Sequence, residues 1–135
     1  MFQPNRLCVL LLLLFFGAIS PASSAEEVLY CADDGQAGFE PTEEYKLYRF
    51  EPKRFTVKID FETNSITSDK LFFTDPNGTV CLNNYFRPTV VYCLNDFGAT
   101  FGIDRDTLKY ARSMVFLTEP PVDSIAVAYG SCEKF

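Results

Sequence analysis

The clearest pattern in the chain is an alternation of apolar and polar residues in the segment FTVKIDF. Phe55, Val57, Ile59 and Phe61 fall on one side of an extended chain, and the polar residues between them fall on the other. Successive side chains of a β-strand point to opposite faces, so this alternation predicts a strand with one face in the core.

Further short apolar runs follow along the chain, and clusters of turn residues separate them. The runs are VLYC, TVVYCLN, ATFGI, TLKYARSMVF and IAVAY. This pattern predicts an all-β fold, a small antiparallel barrel or sandwich of about eight strands. In the separator DPNGT we expect Asn77-Gly78 to supply the positive φ angles of a tight hairpin turn. The segment EPTEEYKLYRF is ambiguous because Thr42 can cap a helical turn, and we predict strand from Tyr45 onwards.

One hairpin can be tested for its register. If Cys81 faces Cys93 across an antiparallel pair, both cysteines lie on one face of the hairpin. The same register pairs apolar residues on the other face, namely Val80 with Leu94 and Leu82 with Tyr92. Because one register satisfies both faces, we predict a Cys81–Cys93 disulfide.

A Cys31–Cys132 disulfide then follows by elimination. Cys31 ends the first predicted strand, and Cys132 follows the last one. We expect these two strands to be the edges of an up-and-down sheet, so that joining them closes the barrel or sandwich.

The N-terminus has the features of a secretory signal peptide. Arg6 precedes an apolar run from Val9 to Ile19, and small residues follow up to Ala25. The run is too short to span a bilayer unaided. We therefore predict a signal peptide over 1–25 and a single β domain over 26–135, with an uncleaved membrane anchor as the alternative.

Charge and cysteine content favour an exported protein that does not bind nucleic acid. Removal of the signal takes one of the 12 basic residues and none of the 18 acidic ones, so the net charge changes from −6 to −7. Phosphates would be repelled. Four cysteines remain after Cys8 is removed, and an even number in a small exported domain indicates disulfides. We expect a periplasmic or secreted protein; a zinc site is the weaker alternative because no close cysteine pairs exist.

Composition also argues against an enzyme. The chain contains no histidine, so the usual proton shuttle near neutral pH is missing and no serine or cysteine has its normal base. Carboxylates remain, but we expect them in turns and on outward faces of strands. We predict no catalytic residue, no cofactor and no metal site. Calcium at the acidic segment ADDGQAGFEPTEE is an alternative, although its spacing does not match an EF-hand loop.

The loop NNYFRP between the two bridged strands is the candidate binding site. Its tip carries Tyr85, Phe86 and Arg87, and aromatic residues with arginine are typical of binding hot spots. The alternative is that these rings fold back over the core. Arg105, Lys109 and Arg112 are expected to form exposed ion pairs with nearby acids.

These features predict a non-enzymatic binding or interaction module that is monomeric and has a protein partner. An alternative is a barrel that carries an apolar ligand, since 11 phenylalanines and seven tyrosines of the predicted domain can line a cavity. Asn77-Gly78-Thr79 is a glycosylation sequon, which matters if the source cell glycosylates exported proteins.

Two stretches carry a resemblance to known proteins. FGIDRDTLKYARS followed by IAVAYGSCEKF resembles the endings of many small exported β-rich bacterial proteins without assigned function, in which an IDR-x-T hairpin precedes a final Gly-x-Cys strand. Tyr30, Cys31, Asp34 and Gly35 are similar, more distantly, to the first strand and acidic-glycine turn of periplasmic c-type lysozyme inhibitors. The inhibitory segment of that family has no counterpart here. The first resemblance implies a β-rich exported domain, and the second implies lysozyme inhibition as an alternative function.

Overall fold

The protein folds as a nearly closed, antiparallel β-barrel with two disulfides. The structure is a computed structural model that describes residues 26–39, 44, 46–68, 73, 76–116 and 124–135. The predicted signal peptide, Thr42 and Tyr45 lie outside the described residues. No helix in these described ranges is long and apolar enough to cross a membrane.

Nine strands make up the sheet. They are β1 Glu27–Phe39, β2 Leu47–Arg49, β3 Arg54–Asp60, β4 Ser65–Thr67, β5 Thr79–Asn83, β6 Val90–Asn95, β7 Ala99–Asp104, β8 Lys109–Phe116 and β9 Ser124–Lys134. Eight of them follow one another in the order β4-β3-β1-β9-β8-β7-β6-β5, and β2 pairs with the end of β1 beyond β3. The all-β prediction is therefore confirmed.

Strand β3 shows why the alternating sequence forms this sheet. Phe55, Val57 and Ile59 are buried, as the period of two predicts, and they pack with side chains from the other strands around one core. The fully buried side chains at its centre include Leu29, Ile66, Phe73, Val91, Phe101 and Ile103. Burial of each large apolar side chain contributes roughly 1.5–3 kcal/mol to folding.

Both predicted disulfides are present. Cys31 lies directly opposite Cys132 on the paired strands β1 and β9, and Cys81 lies opposite Cys93 on β5 and β6. The predicted hairpin register is confirmed residue by residue.

The position of the sheet edges differs from the prediction. Strands β1 and β9 are hydrogen-bonded along most of their length and lie in the middle of the sheet order, so they are not the edges that close the barrel. The two ends of the sheet are β4 and β5 instead. The edge assignment was wrong because β1 also pairs with β3 and β2 on its other side.

Two turn predictions were also wrong. Asn77-Gly78 belongs to a short 3₁₀ turn, Pro76–Gly78, without positive φ angles. The acidic segment expected to turn after Cys31 continues as strand β1, with a β-bulge between Asp33 and Gly35 that keeps it paired with β9.

Strand β1 requires glycine near its end, because a Cβ at Gly38 would lie 2.0 Å from the Ile125 carbonyl oxygen.

Candidate functional site

The loop between β5 and β6 presents two aromatic rings to solvent. Tyr85 is 91% exposed and Phe86 is 88% exposed, and their rings meet edge to face at 5.3 Å between centroids. Arg87, the third predicted binding residue, is also exposed. The alternative in which these rings fold back over the core was therefore wrong, because both point away from the barrel.

Hydrogen bonds order the backbone of this loop, which we call the tip loop (residues 84–89). The Asn84 side-chain oxygen accepts hydrogen bonds from the backbone N–H groups of Phe86, at 2.9 Å, and Arg87, at 3.1 Å. This local pattern is the Asx turn that asparagine favours. The Asn84 N–H donates to the Val90 carbonyl, and the Val90 N–H donates to the Arg87 carbonyl, each at 2.9 Å. Backbone bonds therefore close the base of the loop.

The neighbouring β7–β8 turn braces the tip loop from the side. The Arg105 N–H donates to the Thr89 carbonyl at 2.9 Å, and its guanidinium Nη2 donates to the Pro88 carbonyl at 3.2 Å. The Thr89 hydroxyl donates to Asp104 Oδ2 at 3.3 Å. Arg105 also lies 5.9 Å from the Phe61 ring centroid, so the brace reaches the β3–β4 turn.

Asp104 holds the bracing turn in shape. Its Oδ1 accepts hydrogen bonds from the N–H groups of Asp106, at 2.9 Å, and Thr107, at 3.2 Å. These two hydrogen bonds, the one from Asp106 more than the one from Thr107, hold the pKa of the Asp104 carboxyl below its usual value, because they stabilise the ionised form. The carboxylate is therefore charged at neutral pH.

A shallow cleft lies at the same end of the barrel. Seven residues from the start of β1, the end of β9 and two turns line it: Glu27, Asp60, Phe61, Glu62, Arg105, Asp106 and Lys134. Lys134 bridges to Glu27 at 2.9 Å, which ties the last strand to the first. The Arg105 in this cleft is the same residue that supports the tip loop, so loop and cleft form one continuous surface.

The hairpin behind the tip loop carries apolar residues on its outer face. Val80, Leu82, Tyr92 and Leu94 are each about half exposed or more, while Cys93 is buried in the core. The sequence established that the four apolar residues share one face, and the structure shows that this face points outward.

A buried ionic cluster at the β1 bulge was missed by the sequence analysis. Arg112 Nη2 lies 2.6 Å from Asp33 Oδ2 and its Nε donates to Asp33 Oδ1 at 3.2 Å. The Asp33 side chain is 0% exposed and the Arg112 side chain 9%. The predicted exposed ion pair was therefore wrong for Arg112. Alternation along β8 offered a signal, since Arg112 lies two residues from Tyr110, whose ring is buried.

Every oxygen of Asp33 has partners. Tyr110 donates its hydroxyl to Oδ1 at 2.8 Å, and the Lys53 N–H donates to Oδ2 at 2.9 Å. Burial alone raises the pKa of Asp33, but the hydrogen bonds from Arg112, Lys53 and Tyr110 outweigh it and keep the pKa below its usual value. Burial, followed by the hydrogen bond to Asp33, raises the pKa of Tyr110. Both carboxylate oxygens of Asp33 are therefore hydrogen-bonded, and the cluster stabilises the β1 bulge.

The alternative calcium site at the acidic segment gains no support. Its Asp33 is committed to Arg112, and Glu40 and Glu43 lie outside the described residues. Over the ranges that the structure describes, histidine, cysteine, aspartate and glutamate side chains nowhere gather in the groups of three that could hold a metal ion.

Comparison with protein-family models, curated proteins and solved structures finds no match to this chain. The resemblances drawn from FGIDRDTLKYARS and from the first strand stay predictions. Assignment of a function therefore depends on the geometry of the chain itself.

Proposed function

We propose that this protein is an exported, non-enzymatic binding module that engages a protein partner through Tyr85, Phe86 and Arg87. The observation that carries the proposal is the nearly complete exposure of two adjacent aromatic rings on an ordered loop. Exposed aromatic side chains are costly to leave in water, and aromatic residues with arginine dominate the energetics of protein interfaces.

The order of the tip loop supports a binding role. A loop that is already held in one conformation loses less entropy when a partner binds. Asn84 fixes the loop from within and Arg105 fixes it from the neighbouring turn. The partner therefore meets preorganised rings, and the guanidinium of Arg87 beside them can pair with a carboxylate of that partner.

Export is supported by the two disulfides, which form and persist in an oxidising compartment. The periplasm or the extracellular space is the proposed location, in agreement with the signal-like sequence over 1–25. The absence of histidine from the sequence supports a role without catalysis. The saturated Asp33–Arg112 pair leaves that buried carboxylate no free position for acid–base chemistry.

The interior of the barrel gives less support to the alternative function, a carrier of an apolar ligand, than the tip loop gives to a binding module. Aromatic rings fill the centre of the described core: Phe55 packs edge to face against Tyr110 at 5.5 Å, and Phe101 stacks on Tyr110 at 5.3 Å between centroids. A carrier of apolar ligands uses this space as its binding cavity.

The test compares binding by the exported protein and by its Tyr85→Ala/Phe86→Ala/Arg87→Ala variant. A c-type lysozyme is the first purified candidate because of the first-strand resemblance, and an extract of the compartment around the source cell follows. We expect at least one protein to bind the unmodified chain and to lose at least about thirtyfold in affinity with the variant.

The matched control is Leu47→Ala/Tyr48→Ala/Arg49→Ala in β2. It removes the same kinds of side chain from exposed positions of β2, which pairs with the C-terminal end of β1. Circular dichroism checks that both variants stay folded. If every bound protein is retained equally by the tip-loop variant, or is lost equally with the control, the proposed function is wrong.

A further inference from the structure

The outer surface of strands β5 to β9 carries two rows of uncharged residues. Cross-strand register aligns the first row as Leu82, Tyr92, Gly102, Ala111 and Tyr129. It aligns the second row as Val80, Leu94, Thr100, Ser113 and Val127. We call these ten residues the uncharged face. A face of five strands without a charge is notable in a chain with 30 charged residues, 18 acidic and 12 basic.

The face is both apolar and accessible. Its six large side chains have exposed fractions from 49% to 65%: Val80, Leu82, Tyr92, Leu94, Val127 and Tyr129. At roughly 200 Å² for each large side chain, they expose on the order of 600 Å² in total. That value is at the upper end for the largest patch of a monomer and approaches the roughly 800 Å² that each partner buries in a standard interface.

The relief of the uncharged face is complementary to itself. Tyr92 and Leu94 form a ridge on β6, and Tyr129 and Val127 form another on β9. The two strands between these ridges carry small outward residues, and Thr100, Ala111 and Ser113 line the trough, while the Tyr92 ring covers the fourth, Gly102, where a Cβ would lie 2.8 Å from its Cδ2. A two-fold axis between one ridge and this trough seats the ridge of each copy in the trough of the other, as an isologous dimer requires.

Charge favours a second copy over a basic partner on this surface. The face offers no carboxylate to a basic protein, and residues 79–95, which form the β5–β6 hairpin, contain no acid. Two copies that each carry a net charge of −6 or below repel each other wherever charged surfaces meet. Repulsion is smallest when their uncharged faces meet.

We propose that the uncharged face joins two copies of this chain in a two-fold dimer, in place of the monomer expected from the sequence. The two copies pack their sheets face to face, with apolar ridges seated in the opposite troughs. The tip loop extends past the ends of β5 and β6 and is not one of the two rows, so the contact uses neither Tyr85 nor Phe86. The dimer and the proposed function are therefore tested independently, and the failure of one leaves the other unaffected.

Sedimentation velocity of the disulfide-bonded protein purified after export tests this proposal. We expect a monomer–dimer equilibrium whose dissociation constant falls as salt increases, because salt screens the repulsion between two acidic copies. The variant Leu94→Glu/Val127→Glu should raise the dissociation constant at least about thirtyfold, since it places an unpaired charge on each of the two ridges.

The matched control is Val28→Glu/Leu47→Glu, which adds the same charge at exposed positions of β1 and β2. It should dimerise like the unmodified chain, and so should the Tyr85→Ala/Phe86→Ala/Arg87→Ala variant. A monomer at every concentration, a dimer that survives Leu94→Glu/Val127→Glu, or a dimer lost equally in the control would each overturn the proposal.

Discussion

Two guanidinium nitrogens of Arg112 donate hydrogen bonds to the Asp33 carboxylate inside the barrel, although 79 residues separate the two in the chain. The pair joins β8 to the bulge of β1 across β9. Gln36 adds a third contact, accepting a hydrogen bond from Arg112 Nη2 at 3.2 Å, and the guanidinium lies 5.5 Å from the Phe55 ring centroid. One arginine thereby connects the ionic cluster to the aromatic core.

Removal of Arg112 should destabilise the protein strongly. Arg112→Met leaves the Asp33 carboxylate buried without its countercharge, which costs about 3–5 kcal/mol of unfolding free energy. Urea unfolding measures this loss. The double variant Asp33→Asn/Arg112→Met should recover part of it, because no charge stays buried. A double variant no more stable than the single one would contradict this account.

Stability should fall in acid because of Asp33. Its pKa in the folded protein lies below the usual value, so the unfolded chain takes up a proton more readily. The stabilisation is present above the ordinary aspartate pKa, about 3.9, and is lost as pH falls through the lower folded value. Unfolding free energy measured against pH should show this decline. The Asp33→Asn variant should lose less unfolding free energy as pH falls. If it loses as much as the unmodified protein, other carboxylates such as Asp104 cause the acid sensitivity.

The two disulfides should contribute unequally to stability. Cys31–Cys132 closes a sequence separation of 101 residues and Cys81–Cys93 one of 12. In the chain-entropy model the longer loop contributes about 4–5 kcal/mol and the shorter about 3 kcal/mol. Thermal and urea unfolding of Cys31→Ala/Cys132→Ala and of Cys81→Ala/Cys93→Ala compare them. Equal losses would show that native-state contacts, rather than loop length, set the contribution.

Asn84 should control the order of the tip loop without supporting the core. Asn84→Ala removes the acceptor for the N–H groups of Phe86 and Arg87, so these two amides should exchange with solvent markedly faster. Global unfolding free energy should change by about 1 kcal/mol or less, since the site is exposed. Asn83→Ala in the adjoining strand is the control. Unchanged exchange at both amides would show that the Arg105 brace alone orders the loop.

Much of the fold was predictable because it depends on neighbours along the chain. The period of two in FTVKIDF set the buried face of β3, and the spacing of Cys81 and Cys93 set the register of their hairpin. The turn that follows β6 is local too, and there Asn95 accepts hydrogen bonds from the Phe97 and Ala99 N–H groups. Each of these features is local, so the sequence carries its signal directly.

The candidate site was predictable only in part. The sequence named Tyr85, Phe86 and Arg87, but not the β7–β8 turn beside their loop, from which Arg105 donates a hydrogen bond to the Pro88 carbonyl. The predicted turn at Asn77-Gly78 failed because the chain there enters β5 from a 3₁₀ turn rather than a tight hairpin.

Alternation and an even cysteine count are properties of the chain alone, so most of the strands, the cysteine pairing and the shared face of Val80 and Leu94 could be predicted from them. The folded arrangement was needed to show that this face points to solvent and that Arg112 meets Asp33 inside the barrel. Both outcomes depend on the order and register of strands distant in sequence. A period of two separates the two faces of a strand, but only the closure of the sheet decides which face becomes the core.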